Sequence, residues 1–163
     1  LPRIIAIVAK VYSPSIANWS EDHAACKHHG ELVMTVGVLL MTHEAVGQAL
    51  ISAVHHVMPK LPLQVAAVEI PPQSDPDVMR TLTARHAREL DQGEGVLVLA
   101  DLYGATPCNI GLSLGALGVH LRCVSGLNLP MLLRVLNYAE KPLDELAEIA
   151  ASGGRGGIFI DHA

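Results

Sequence analysis

Val36-Gly37-Val38-Leu39-Leu40-Met41-Thr42-His43 decides the fold: a short, continuous apolar run that stops on a polar pair. A run of this length without polar alternation suits a strand buried on both faces, as in a parallel sheet covered by helices. Residues 36–41 therefore read as the first strand, and residues 45–58 as an amphipathic helix stopped by Pro59. Residues 63–70 read as a second strand, closed by Pro71-Pro72. Asp75 or Asp77 can cap the next helix, through Asp91, with Pro76 where a first helical turn tolerates it. Val96-Leu97-Val98-Leu99-Ala100 repeats the first run and stops at Asp101. Beyond it, residues 107–117 form a short helix with Thr106 as its N-cap, and residues 119–124 a fourth strand. Residues 129–138 and 143–151 read as helices, and residues 158–160 as a last short strand after the turn Gly153-Gly154-Arg155-Gly156-Gly157. Alternating strands and helices imply right-handed crossovers and a three-layer α/β/α fold around a mainly parallel sheet.

The composition agrees with this class. At 163 residues the chain fits one domain with a full core, and its 50% apolar but only 3% aromatic content makes that core aliphatic. A net charge of −5 gives no electrostatic case for nucleic acid. No apolar stretch reaches the roughly 20 residues of a membrane helix, and the opening run at residues 4–9 is short for a signal peptide. Three widely spaced cysteines, Cys26, Cys108 and Cys123, favour reduced thiols and a cytoplasmic location. Residues 1–33 break the pattern and read as an irregular extension, with residues 4–11 its one regular part. The domain proper runs over residues 34–163.

In a parallel sheet the loops after the strands share one edge, where α/β proteins place their chemistry. His43 follows the first strand and Asp101 the third. In a 2-1-3-4 strand order they face each other across the switch point. Histidine offers an unprotonated ring nitrogen near neutral pH, and a carboxylate on the other nitrogen fixes its tautomer. Against this stands the plainer reading of a histidine that merely ends a strand. Gly104-Ala105-Thr106-Pro107 brings small residues to a helix N-terminus, a place that favours an anion such as phosphate. It also fits an ordinary tight turn. Ser125-Gly126-Leu127-Asn128 follows the fourth strand on the same edge, as pocket lining or as a turn.

Other features carry less. His23, Cys26, His28 and His29 crowd together in the extension without the separated ligand pairs of a structural metal site. His55-His56 read as surface residues of a helix, and Cys108 as a small buried thiol with no adjacent base. The 153–157 glycines lack the lysine and hydroxyl of a nucleotide-binding P-loop.

Three segments together resemble enzyme IIA of the mannose family of the bacterial phosphotransferase system. They are Val-Gly-Val-Leu-Leu-Met-Thr-His (36–43), Leu-Ala-Asp-Leu-Tyr-Gly-Ala-Thr-Pro-Cys-Asn (99–109) and Ser-Gly-Leu-Asn-Leu-Pro-Met-Leu-Leu (125–133). The likeness runs from about Met34 to Ile160. It implies that His43 is the phosphorylated histidine and Asp101 its paired aspartate. Thr42, Gly104, Ala105 and Thr106 become the phosphate-binding residues, and Asn109, Ser125 and Asn128 the pocket or partner surface. It further implies phosphoryl transfer from the carrier HPr to His43 and on to an enzyme IIB, with no metal and no cofactor. A homodimer that exchanges the last strand is implied as well, peripheral to a membrane permease at most. Two positions depart from the family pattern: Glu44 replaces the usual glycine after the histidine, and Gly104-Ala105 replaces a glycine pair. Three other roles fit the same residues: a regulatory domain whose phosphorylation signals without transport, the phosphocarrier of dihydroxyacetone kinase, and a non-catalytic anion-binding or dimerisation module.

Overall fold

The computed structural model describes residues 34–161. The expectations for residues 1–33, including the His23-to-His29 cluster, lie outside the described residues. Four parallel strands, β1 (Gly37–His43), β2 (Val65–Ile70), β3 (Val96–Ala100) and β4 (Leu121–Ser125), form one sheet in the order β2-β1-β3-β4. Five helices surround it: α1 (Val46–Val57), α2 (Pro76–Leu90), α3 (Thr106–Ser113), α4 (Leu129–Asn137) and α5 (Leu143–Gly156). A 3-10 turn, Leu114–Leu117, continues α3. The α/β/α class and the strand order are those expected from the sequence.

The alternation of the pleat divides the core in two. Val38 and Leu40 of β1, with Leu97 and Leu99 of β3, pack under α1, α4 and α5. Leu39 and Met41, with Val96, Val98 and Ala100, pack under α2 and α3. The connection from β1 to β2 runs one way along the sheet with α1 on one face; those from β2 to β3 and β3 to β4 run the other way with α2 and α3 on the opposite face. A right-handed crossover requires this change of face wherever the direction reverses. The reversal lies between β1 and β3, and it opens the carboxyl edge there.

Close backbone contact sets β1 against the end of α2. A Cβ on Gly37 would lie 2.5 Å from the Leu90 carbonyl oxygen and 2.9 Å from the Leu90 Cβ. Either the strand or the helix must move to admit one.

The chain's last part departs from expectation in two ways. Residues 153–156 are helical, not a turn, and they let α5 press against α4. A Cβ on Gly153 would come 2.6 Å from the Arg134 Cβ, and one on Gly154 2.8 Å from the Met131 methyl. Glycine weakens a helix by about 1 kcal/mol per residue, so close packing supplies the compensation. Residues 158–160 form no strand: Ile158, Phe159 and Ile160 are 78%, 61% and 83% exposed. A strand needs a partner for its backbone, and no free edge of this chain's own sheet receives this segment.

Gly37→Ala should lower the urea midpoint and destabilise the fold by about 1–3 kcal/mol, read from equilibrium unfolding.

Candidate functional site

β1 is buried through Thr42 and surfaces at His43, the last residue of the strand. Asp101 is the first residue beyond β3, and its amide donates to the Met41 carbonyl at 3.2 Å. Neighbouring parallel strands thus deliver both residues to one point. Asp101 Oδ2 accepts two hydrogen bonds from His43, from the backbone amide at 2.7 Å and from ring Nδ1 at 2.8 Å. A carboxylate accepts, so Nδ1 carries the proton and Nε2 keeps its lone pair. The His43 side chain is 53% exposed and that of Asp101 only 13%. An imidazole so open gains little stability from such a pair, at most about 1 kcal/mol. What the contact fixes is the orientation of the ring. Asp101 Oδ1 is buried and has no partner among the described residues.

Thr42, expected at the phosphate, points the other way. Alternation sends it to the α1 face, where it is fully buried and its hydroxyl accepts from the Gly47 amide at 3.0 Å. It anchors α1 and does not open on the edge. Glu69 of β2, the register partner of Thr42, accepts from the Gln48 amide at 2.9 Å. Nothing in the sequence marked Glu69; only the β1–β2 register brings it to the start of α1.

The turn between β1 and α1 contains the residue with the least ordinary backbone at the site. Ala45 takes φ +69°, left-handed, at the N-cap of α1. Glu44 beside it is exposed, with no hydrogen bond or ion pair among the described residues. The Glu44 carboxylate is therefore open to solvent, where repulsion is weakest.

In the loop after β3, Gly104 has φ +77° and open space around its Cα. Ala105 has φ −74°, so its position needs no left-handed residue. The Asn109 side chain donates to the Gly104 carbonyl at 3.0 Å and ties the loop to its own helix. Thr106 does not cap α3 as expected. It is the first helical residue, Ala105 occupies the N-cap, and no side chain caps the helix. Pro107 lacks an amide, and the Thr106 and Cys108 amides have no partner among the described residues. Gly104, Ala105 and Thr106 thus present an uncapped helix N-terminus on the sheet face shared with His43.

The remaining expected residues are dispersed. Asn128 is the N-cap of α4: Oδ1 accepts from the Met131 amide at 2.9 Å, and Nδ2 donates to the Gly126 carbonyl at 3.2 Å. Its amide group is thereby committed to the backbone. Ser125 Oγ lies 3.3 Å from Cys108 Sγ, and Ser125 lines a groove along the outer edge of β4 with Tyr103, Arg122 and Cys123. Cys108 is buried. Burial, then the neighbouring Cys108, pushes the Cys123 thiol up to about 12, which leaves it protonated and unreactive at neutral pH. A second groove lies between α4 and α5, lined by Arg134, Tyr138 and Glu148. A histidine whose side chain is 53% exposed is open to approach by a second macromolecule.

Ala45→Gly should relieve the left-handed strain and stabilise the fold by about 0.5–1 kcal/mol, measured by denaturant unfolding. Thr42→Val keeps the shape but leaves the Gly47 amide without an acceptor, and should cost about 1–3 kcal/mol in the same assay.

Known proteins are similar to this chain in sequence and fold. A family model for EIIA-man, described as the PTS system fructose IIA component, matches residues 37–151. The mannose-specific EIIAB component of the phosphotransferase system (PTS) of Escherichia coli strain K12 is 24% identical over 127 residues, 77% of this chain. The chain spans only 39% of that relative's length. Among solved structures, the mannose/sorbose-specific IIA subunit from Enterococcus faecalis superposes with a TM-score of 0.69 at 26% identity, covering 80% of this chain and 97% of that one. The phosphotransferase component EIIA from Streptococcus agalactiae shares the fold with a TM-score of 0.67 at 21% identity, over 77% of this chain and 96% of its own. With its 2-1-3-4 parallel sheet and a family match across most of the described residues, this chain belongs to the EIIA-man family, the mannose-type IIA components of the phosphotransferase system.

Proposed function

We propose that this protein is a phosphocarrier that accepts a phosphoryl group on His43 from phosphorylated HPr and passes it to an enzyme IIB during sugar uptake. The observation that carries this reading is the paired hydrogen bond from His43 to one oxygen of Asp101. With Nδ1–H held at 2.8 Å by the carboxylate, Nε2 is the nucleophile. It attacks phosphorus in line with the donor's phosphorus–nitrogen bond. The new bond forms at Nε2 as the old one breaks, and the donor imidazole leaves. Nδ1 keeps its proton, and Asp101 stabilises the cationic ring that results. Catalysis is then chiefly a matter of position and electrostatics, as is general for phosphoryl transfer.

The uncapped amides of Thr106 and Cys108, with the Thr106 hydroxyl, are the proposed seat of the phosphoryl oxygens. Asn109 serves by holding the Gly104 carbonyl turned into its own helix. Exposed Leu102 and Tyr103, next to Asp101, offer apolar surface to the partner carriers. Both carriers use the same site in turn, which the open edge allows. No helix among the described residues is long and apolar enough to cross a membrane. We assign the action to the cytoplasmic side of a permease.

We further propose a homodimer. The outer edge of β4 has no strand beside it among the described residues, and Ile158, Phe159 and Ile160 are exposed apolar residues of high strand propensity. Pairing of this segment with the β4 edge of a second copy satisfies both.

Incubation with enzyme I, HPr and phosphoenolpyruvate should add one phosphate to the protein, stable in base and lost in acid, as seen by mass spectrometry. His43→Ala should abolish the gain and Asp101→Asn should slow it by at least about tenfold; full labelling of the His43→Ala protein would refute the assignment. Truncation after Gly157 should convert a dimer to a monomer in analytical ultracentrifugation, and an unchanged sedimentation coefficient would exclude strand exchange.

A further inference from the structure

The four helices that begin at the catalytic edge are α1, α2, α3 and α4, since each follows a strand. Three of them have first-turn amides occupied by side chains. Asp75 accepts from Asp77 and Val78 at the start of α2, and Asn128 accepts from Met131 at the start of α4. At α1 the acceptors come from outside the helix and its turn: Thr42 of β1 on the Gly47 amide, and the Glu69 carboxylate of β2 on the Gln48 amide. Only α3 is left open.

The charge balance makes the occupant of α1 significant. The connecting loops at this edge, residues 44–45, 71–75, 101–105 and 126–128, contain no Lys or Arg. Arg80, near the start of α2, is paired with Asp77, so within the loops themselves the helix N-termini supply the positive potential for a phosphoryl group. The one nearest in sequence to His43 is α1, which starts three residues later at Val46. Left bare, it would compete with α3 for the anion and hold it. Instead a carboxylate sits there, and the first turn packs closely on the sheet. A Cβ on Gly47 would lie 2.8 Å from the Ala67 Cβ, 2.9 Å from Thr42 Oγ1 and 3.5 Å from Glu69 Oε1. Glu69 also adds negative charge on the strand beside Thr42, at the usual inter-strand spacing of about 4.8 Å.

We propose that Glu69 is a positioning residue for phosphoryl transfer: it seals the N-terminus of α1 with negative charge, steers the phosphoryl group to α3, and raises the tendency of phosphorylated His43 to give the group away. This inference rests on the reading of His43 as the phosphoryl acceptor. A carrier must hold phosphate loosely enough to release it. A carboxylate that neutralises one of the two helix ends on either face of β1 works in that direction, because it destabilises the charged phosphorylated state more than the free one.

The test compares wild type, Glu69→Gln and Glu69→Ala for the equilibrium partition of labelled phosphate between HPr and this protein, together with the hydrolysis half-life of the labelled protein. Glu69→Gln keeps a carbonyl oxygen for the Gln48 amide but removes the charge. It should shift the partition toward this protein by about three- to tenfold and lengthen the half-life. A Gln variant indistinguishable from wild type, with only Glu69→Ala altered, would reduce Glu69 to a structural cap and overturn the proposal. So would a shift toward HPr. Absence of label on the wild-type protein would overturn the His43 reading itself, and the inference with it.

Discussion

The parallel pairing of β1 with both neighbours is the constraint on which the rest depends. Hydrogen-bonded to β2 from Val38 to His43 and to β3 from Gly37 to Met41, the strand has no freedom to slip by a residue. A one-residue slip would turn Leu39 and Met41 out of one core and Val38 and Leu40 out of the other. The same register puts His43 beside the loop that opens with Asp101, and Thr42 beside Glu69. Both the His43–Asp101 pair and the capping of α1 by Thr42 and Glu69 follow from one strand held in one position.

Pleating then separates two jobs that adjoin in sequence. Thr42 turns inward and is consumed by the Gly47 amide, whereas His43 turns to the α3 face and is left open. This economy explains why polar residues can end a strand that is otherwise wholly apolar. A buried hydroxyl is acceptable because the Gly47 amide satisfies it, and a half-exposed imidazole is acceptable because water does. The edge as a whole is uneven: three helices that start there are capped by Asp75, Asn128, and Thr42 with Glu69, and α3 has no side-chain cap.

Much of this was legible in the amino-acid order. The strands at 36–41, 63–70 and 96–100 were found within a few residues, because short apolar runs bounded by proline, glycine and aspartate have few other readings. His43 and Asp101 stood out because each ended such a run. Errors fell where tertiary contact overrides local preference. Gly153 and Gly154 read as a turn but lie in α5, since the surface of α4 around Arg134 and Met131 requires residues without side chains there. Thr106 read as an N-cap by type, yet α3 begins one residue earlier and Ala105 takes that place. The 158–160 segment read as a strand by composition, but composition supplies no partner edge.

Sequence alone determined the class of the fold, the meeting of His43 with Asp101 at one sheet edge and the aliphatic nature of the core. These depend on periodicity and residue type, which survive without coordinates. Tertiary structure decided which side chains the backbone had already claimed. Thr42 and Asn128 are spent on helix ends, Asn109 on its own loop, and Glu69, silent in the sequence, is brought to α1 by a neighbouring strand. Such assignments hinge on register and on the direction a side chain takes from the pleat. Neither is a property of any residue taken singly, so only the assembled sheet could fix them.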